Sequence, residues 1–529
     1  MGRKCWIWCG RASAVAFMAV SGVAILYSFF AAQDDEEKKR LLGKPDAFVE
    51  LFEWSWSDVA LECEQFLGPK GFRAVLTSPP QEHVQGPGWL ARYQPVTYNL
   101  TSRSGNESEF RAMVKRCAAS GVAVYADVVL NHCGAGSGIG VGGSNFSLRR
   151  FPLYTPGDFH HVEDDIMKNC RIRDYNDKHQ VQYCDLESLP DLCTGCSHVQ
   201  DTMAAYLNRL AQMGVAGFRI DAAEHIDAKE LGRILSRVDS SLYIFQDVPP
   251  PPGPPGPPPR HGGDIIRPSM YWNLGQVTEV NYGIRLGSFI KAPGRMHDLE
   301  HFPRARDHPG DLMPTEHAVV FIDNHNTQRG RPVDATLTYK YVMLHDLAVA
   351  FMLANPYGYP VLMSSYHFDV VAQGPPSIPV HGANGELNCG RDQPWVCEHR
   401  HRPVANMVGW RRAAGEDEIN NFVAVGGNHI SFCRGSSACI ALNRAETAWH
   451  ADFPVSVPSG HYCDIANSTE TGCPEIHIGH DSRARIEIPP LSIAAFHVKA
   501  LARPTQPAGT TPWHHLVRWA RASGASFTV

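Results

Sequence analysis

Arg219-Ile220-Asp221 closes an apolar run that begins at Val215. Alternation along an extended chain puts Arg219 and Asp221 on the same side. A guanidinium next to a carboxyl lowers its pKa and keeps it ionised, which is the form a nucleophile or base needs. Two further runs end in the same manner. Tyr125-Ala126-Asp127-Val128-Val129-Leu130 leads into Asn131-His132, and His317-Ala318-Val319-Val320-Phe321-Ile322 leads into Asp323-Asn324-His325-Asn326. A fourth, residues 242–248, carries Asp247 near its end. Short apolar runs that stop abruptly in charge read as buried parallel strands whose carboxyl ends open into a polar site. Helical spacing of Met203, Tyr206, Leu207, Leu210 and Met213 puts a helix ahead of Val215. Helix, buried strand and polar strand end together predict a β/α barrel, whose chemistry sits at strand carboxyl ends. The plain alternative for any one of these ends is a structural ion pair.

In this order and spacing the strands resemble the signature strands of the alpha-amylase family of glycoside hydrolases, animal-type alpha-amylases above all. The likeness spans residues 48–498. It runs through Leu51-Phe52-Glu53-Trp54, Arg92-Tyr93-Gln94-Pro95, Arg103-Ser104-Gly105-Asn106-Glu107 and Trp395-Val396-Cys397-Glu398-His399-Arg400. The resemblance implies an α/β fold: a (β/α)8 TIM barrel with a small domain inserted after strand 3 and a C-terminal antiparallel β-sandwich domain. The expected divisions are an N-terminal signal and stalk (1–47), barrel (48–132), inserted domain (133–199), barrel (200–415), β domain (416–500) and tail (501–529). Expected barrel strands cover residues 48–54, 73–77, 122–131, 215–221, 242–248, 277–280, 317–326 and 360–364.

The function implied is retaining hydrolysis of α-1,4-glucans such as starch, glycogen and maltooligosaccharides. Retention needs a carboxylate nucleophile and a second carboxyl, about 5–5.5 Å away, as acid and then base. The family adds a third carboxylate. Asp221 matches the nucleophile. Asp247 stands where the family has an acid/base glutamate, and Asn326 stands where it has the third carboxylate. An aspartate carboxyl falls about 1.5 Å short of a glutamate's, one C–C bond. Proton delivery needs approach to about 2.6–3.2 Å, and a misplacement of about 1 Å can cost a hundredfold. Asparagine keeps the shape and hydrogen-bonding capacity but has no charge to offer an oxocarbenium-like centre. Strongly reduced activity is therefore expected. The alternatives are a glucan-binding pseudoenzyme and an ancillary type II membrane subunit with an amylase-like ectodomain.

Trp89, Tyr93, Asp127, His132, Arg219 and His325 match substrate-binding positions, against a plain reading as packed core. Leu90 replaces an expected second tryptophan, and Glu224 replaces a lysine expected on the leaving-group side. The resemblance also implies calcium, held by side-chain oxygens of Asn131 and Asp191 and by main-chain oxygens at Gln182 and His225. Oxygen donors of this kind suit that hard ion. Arg219 and Asn324 match two chloride ligands, but Val361 stands where a further basic ligand belongs.

The chain has 529 residues, 15 cysteines and a net charge of −6. No nucleic-acid partner is expected, and the protein is taken as a monomer. Cysteine usage suits an oxidising compartment. The family pattern implies Cys63–Cys117, Cys170–Cys184, Cys389–Cys397 and Cys463–Cys473, with Thr101 in place of a further cysteine. Cys433 and Cys439 suit a local staple. Cys193 and Cys196 read as a local bridge, a redox pair or half a zinc site. Asn99, Asn106, Asn145 and Asn467 head glycosylation sequons. Residues 12–32 are uncharged and mostly apolar, with Arg3, Lys4 and Arg11 ahead of them. That length exceeds the 7–15 residues of a cleaved signal core and meets the roughly 20 of a spanning helix. The reading is a type II signal anchor, with a cleaved signal and a secreted protein as the alternative. Residues 249–259 are proline and glycine only, a stiff polyproline II spacer or a rim that docks a partner.

Overall fold

The computed structural model describes residues 46–250, 265–303, 312–330, 336–469 and 472–502. The N-terminal apolar run, most of the proline run and the tail lie outside these described residues.

Eight parallel strands close into a barrel: β1 (Phe48–Leu51), β2 (Ala74–Thr77), β3 (Ala123–Val129), β4 (Gly217–Asp221), β5 (Tyr243–Gln246), β6 (Gln276–Glu279), β7 (Ala318–Val320) and β8 (Tyr359–Ser364). Each pairs with its sequence neighbours, and β8 pairs with β1 to complete the ring. Helices intervene, among them α1 (Trp56–Glu62), α2 (Glu107–Ala119), α3 (Ser197–Gln212), α4 (Ala228–Leu235), α5 (Val280–Lys291) and α6 (Val342–Ala354); α7 (Arg402–Ala414) follows β8. α2 begins where it does because Asn106 and Glu109 form a reciprocal capping box. α3 buries Met203, Tyr206, Leu207 and Leu210 of the predicted stripe together with Val199, while Met213 lies one residue past its end and is half-buried.

The inside of the barrel is filled by alternate strand residues. Phe48 packs its ring against Phe245 at 5.7 Å, Tyr125 at 5.5 Å and Tyr359 at 4.8 Å. Gly217 makes room for this filling. A Cβ there would lie 2.5 Å from the Tyr243 carbonyl oxygen and 2.9 Å from the Tyr125 ring.

Strand β7 is shorter than expected, three residues instead of ten. Its register with β8 ends at Pro360 opposite Val320. Pro360 has no N–H to extend the ladder, so Phe321 onward leaves the sheet.

Between β3 and α3 the chain makes a long excursion. It contains a short hairpin (Ser137–Ile139 with Asn145–Ser147) and a helix (Lys178–Tyr183). Its two ends meet where Leu192 N donates to Asn131 O at 2.9 Å. After α7 come two four-stranded antiparallel sheets. One orders β9 (Ile419–Val425), β10 (His429–Arg434), β11 (Ala438–Asn443) and β16 (Ser492–His497). The other orders β12 (Trp449–Pro454), β15 (Arg483–Ile488), β14 (Glu475–Ile478) and β13 (Gly460–Cys463). Trp449, Phe453, Ile476, Ile488 and Phe496 share a core with residues of both sheets, which is the expected sandwich.

All four family-implied disulfides form, as does Cys433–Cys439 across the β10–β11 hairpin. Cys193 and Cys196 are bridged to each other, which selects the local bridge among their three readings. Cys133 is the one free cysteine among the described residues, and it is buried.

Candidate active site

Arg219 organises the carboxyl ends of β3, β4 and β5. Its Nη1 donates to both Asp127 oxygens and to Asp221 Oδ1, each at 2.8 Å. Its Nη2 donates to Asp247 Oδ2. The β3–β4–β5 register explains the convergence: Asp127 lies opposite Arg219, and Arg219 lies opposite Phe245, two residues before Asp247. Arg219 is almost fully buried. Burial opposes its charge, but the three carboxylates outweigh that and hold its pKa well above the usual range. Burial pushes the Asp127 carboxyl up to about 7, against the pull of Arg219 and with the push of Asp221's charge. One guanidinium is shared by three carboxyls, so the positive charge is in short supply.

Asp221 is the last residue of β4. Ala222 then takes a left-handed conformation at φ 49°, which turns the chain into Ala223–His225. Asp247 lies one residue beyond β5, and its N donates to Ile220 O at 3.0 Å. Thr278, on β6, donates its hydroxyl to Asp247 Oδ1 at 3.1 Å. Both Asp247 oxygens thus have protein partners. Asn326 is exposed in the loop after β7, its N bonded to Asn324 Oδ1 at 3.0 Å.

Tyr93 donates to Asp127 Oδ2 at 3.0 Å, and burial, then Asp127, pushes the Tyr93 phenol far up. His325 stacks between Phe52 (4.7 Å) and Tyr93 (5.2 Å), with Nδ1 2.6 Å from Glu50 Oε1. Burial pushes Glu50 up, but His325 with Arg219 and Arg329 outweighs it, and the net direction is down. His325 Nε2 has no partner. His132 Nε2 lies 2.9 Å from Tyr93 O. Trp89 stands edge-on to Tyr93 and His325, while Leu90 is 48% exposed. The six predicted substrate-binding residues therefore gather in one place, packed tightly with little solvent exposure.

Two residues here had no place in the sequence reading. Glu50 had a signal: a lone acid inside the buried strand Phe48–Leu51. Thr278 had none, because its partner comes from a different strand 31 residues away.

The implied calcium ligands converge at the neck of the excursion. Asn131, Asp191, Gln182 and His225 are all buried. Asn131 Oδ1, Asp191 Oδ1 and Gln182 Oε1 are buried oxygens without a partner. Burial pushes the Asp191 carboxyl well above its usual range, a cost that a bound cation would reverse. His160 Nδ1 holds the other Asp191 oxygen at 2.6 Å. Among the described residues no cluster of three or more His, Cys, Asp or Glu side chains suits a metal. A site of one carboxylate plus amide oxygens is of another kind, and these orphaned oxygens fit calcium. The implied chloride set does not fit. Val361 is buried among Phe48, Tyr125, Phe245 and Tyr359 and offers no donor, and both terminal nitrogens of Arg219 face carboxylates.

Residues 77–240 match the catalytic domain of alpha amylase, and residues 419–499 match the alpha amylase C-terminal all-beta domain. The chain is 36% identical over 517 residues to a pancreatic alpha-amylase of Sus scrofa, covering 89% of this chain and 96% of that one. It is 37% identical over 491 residues to an alpha-amylase of Streptomyces violaceus, covering 92% and 79%. Among solved structures, wild-type alpha-amylase I from Eisenia fetida superposes with a TM-score of 0.76 at 32% identity, over 86% of this chain and 97% of that one. A variant of that enzyme was solved with maltohexaose. Likeness at this level, along nearly the whole of the Sus scrofa and Eisenia fetida chains, is family membership: the protein belongs to the alpha-amylase family of glycoside hydrolases.

Proposed function

We propose that the chain binds α-1,4-glucans at the mouth of the barrel and hydrolyses them slowly, with retention, through Asp221 as nucleophile. The observation that carries this is the double engagement of Asp247 by Arg219 and Thr278. Asp221, held by Arg219 Nη1 at 2.8 Å, attacks the anomeric carbon. Asp247 has to protonate the departing oxygen, so it must hold a proton and lie within about 2.6–3.2 Å of that oxygen. In this structure its oxygens are turned to Arg219 and Thr278. Asn326 can hydrogen-bond a hydroxyl but adds no charge to the oxocarbenium-like centre. Binding is supported by Trp89, Tyr93, His132 and His325, which line the same end, and Glu224 leaves the leaving-group side without a cation. A glucan-binding pseudoenzyme is the limiting case of the same geometry.

Calcium, when bound by Asn131, Asp191 and the main chain at Gln182 and His225, supplies charge neutralisation at the neck of the excursion. Its role in this reading is to hold the β3 end and the excursion together. The test is a paired measurement on the purified full chain: maltooligosaccharide binding by calorimetry and starch cleavage by reducing-end release. Binding with very slow cleavage is the expected result. Turnover at ordinary enzyme rates, about 1–1000 per second, would refute slow catalysis. Absence of glucan binding would refute the reading altogether and favour the membrane-subunit alternative.

A further inference from the structure

We propose that the Asp247 carboxylate serves as a built-in anion for Arg219, filling the place a small monovalent anion would take, so that this chain keeps its barrel end in charge balance without chloride. The inference does not depend on hydrolysis, since no step of it involves glucan.

The main chain sets up the arrangement. Asp247 N is tied to Ile220 O at 3.0 Å, and Glu224 N reaches Asp247 O at 3.4 Å. With the backbone held on both sides, the short aspartate side chain points at the neighbouring strand end, where Arg219 Nη2 takes Oδ2 and Thr278 Oγ1 takes Oδ1 at 3.1 Å. The side chain is 15% exposed, so the pair is largely shielded from solvent. A charged hydrogen bond of this kind is stronger than its neutral counterpart.

The surroundings leave no room for a second anion. Asp127 and Asp221 already occupy Nη1. Burial, then the charge of Asp221, pushes the Asp127 carboxyl up to about 7 against the pull of Arg219. No further cation comes from β8, where Val361 belongs to the apolar lining of the barrel. An added anion would meet three carboxyls and one guanidinium. Conversely, deleting the Asp247 carboxylate leaves a buried N–H of Arg219 without an acceptor, a state proteins avoid. Small anions then become acceptors of the right size.

Thermal unfolding of the full chain tests this at constant ionic strength, with chloride or nitrate replacing gluconate. Chloride binding is read separately from the chloride NMR line width. The wild type is expected to have one Tm in all three salts and no displaceable line broadening. Asp247→Ala is expected to gain a saturable rise of about 1–3 °C in chloride or nitrate, with broadening that nitrate displaces. Asp247→Asn keeps the side-chain shape and stands in if the alanine variant does not fold. A chloride-specific rise or displaceable broadening in the wild type would overturn the proposal. So would a folded Asp247 variant that ignores all three anions. If neither variant folds, the wild-type line width decides alone. Because glucan is absent throughout, failure here is separate from failure of the hydrolytic reading.

Discussion

At the scale of single residues, the proposed slow catalysis turns on two side chains. Asp247, one methylene shorter than the glutamate the resemblance implies, is bonded to Arg219 and Thr278. Asn326, exposed in the loop after β7, has an amide where the resemblance implies a carboxylate. Introducing both carboxylates, with Asp247→Glu and Asn326→Asp, is expected to raise kcat for starch by about three to four powers of ten, on the basis that the short reach of Asp247 and the missing charge at Asn326 each cost roughly a hundredfold. Glucan affinity should change little, because both groups act on the transition state. Each single change should recover less than half of the logarithmic gain, since the two serve one transition state. Stopped-flow and steady-state assays of the four proteins give the comparison. A double variant that binds glucan yet stays inert would place the defect elsewhere, with the proline run of residues 249–259 the first suspect. Arg219 with Asp221 was legible in the sequence, because alternation along one strand is a local rule. Arg219 with Asp247 was not, because it depends on the register between two strands.

At the scale of elements, the loop after β7 is held from beneath by a buried polar network. Asp323 lies 2.9 Å from His345 Nε2, on α6, and accepts from Gln328 Nε2 at 2.7 Å. Gln328 also donates to Ser365, whose N donates to Glu398 at 2.7 Å. Burial alone would lower the His345 pKa, but Asp323, with Glu398 and Asp346, raises it from 6.5 to about 9. A raised pKa in the folded state means that the proton stabilises the fold. That contribution is complete below the unfolded value of 6.5 and is lost as pH rises through about 9. Its full size is of order 3 kcal/mol. Glu398, pushed up by burial and then by Asp323, acts with the same sign. Tm of the wild type is therefore expected to fall between pH 6.5 and 9.5, and His345→Gln should flatten that slope while lowering Tm at pH 6. An unchanged slope in the variant would remove His345 as the cause. The helix was legible, and a histidine in so apolar a run was the only hint of this network. Its partner lies on a different element.

At the scale of the molecule, the barrel carries its two additions differently. The C-terminal sheets are fixed by hydrogen bonds to the barrel helices: Trp410 Nε1 on α7 donates to Phe496 O at 3.0 Å and Cys439 O at 3.2 Å, and Arg444 donates to the carbonyls of Ile290 and Lys291 at the end of α5. The excursion after β3 is joined at its neck by few main-chain bonds, Leu192 N to Asn131 O at 2.9 Å and Cys133 N to Pro190 O at 3.1 Å, beside the orphaned oxygens of Asn131 and Asp191. Chelation is therefore expected to lower the Tm of the full chain, because an ion bound only by the native state stabilises it. Asp191→Asn should abolish the calcium-dependent shift, as read by calorimetry with and without chelator. An identical melting curve in excess chelator would remove the ion from the account. Among the described residues no helix is long and apolar enough to cross a membrane, and the candidate anchor, residues 12–32, lies outside them. We expect the mature protein to keep its amino terminus and to fractionate with membranes. Terminal sequencing that starts near Gln33 would make it a secreted protein.

The sequence alone determined the barrel, its order of strands and which residues stand where the resemblance implies catalytic groups. These follow from local periodicity, from abrupt apolar-to-charged boundaries and from motifs that stay in register over the length of the chain. It also determined the disulfide pairs that the family pattern implies. What it left undecided was every contact that needs two elements brought side by side. The end of β7 was set by a proline on the facing strand, Cys193 and Cys196 by their own proximity, and the calcium-fitting oxygens by the closure of a long excursion. The sharing of one guanidinium among Asp127, Asp221 and Asp247 belongs to the same group. Charge balance inside a barrel end depends on distances of a few ångströms between strands, and only the closed sheet sets those distances.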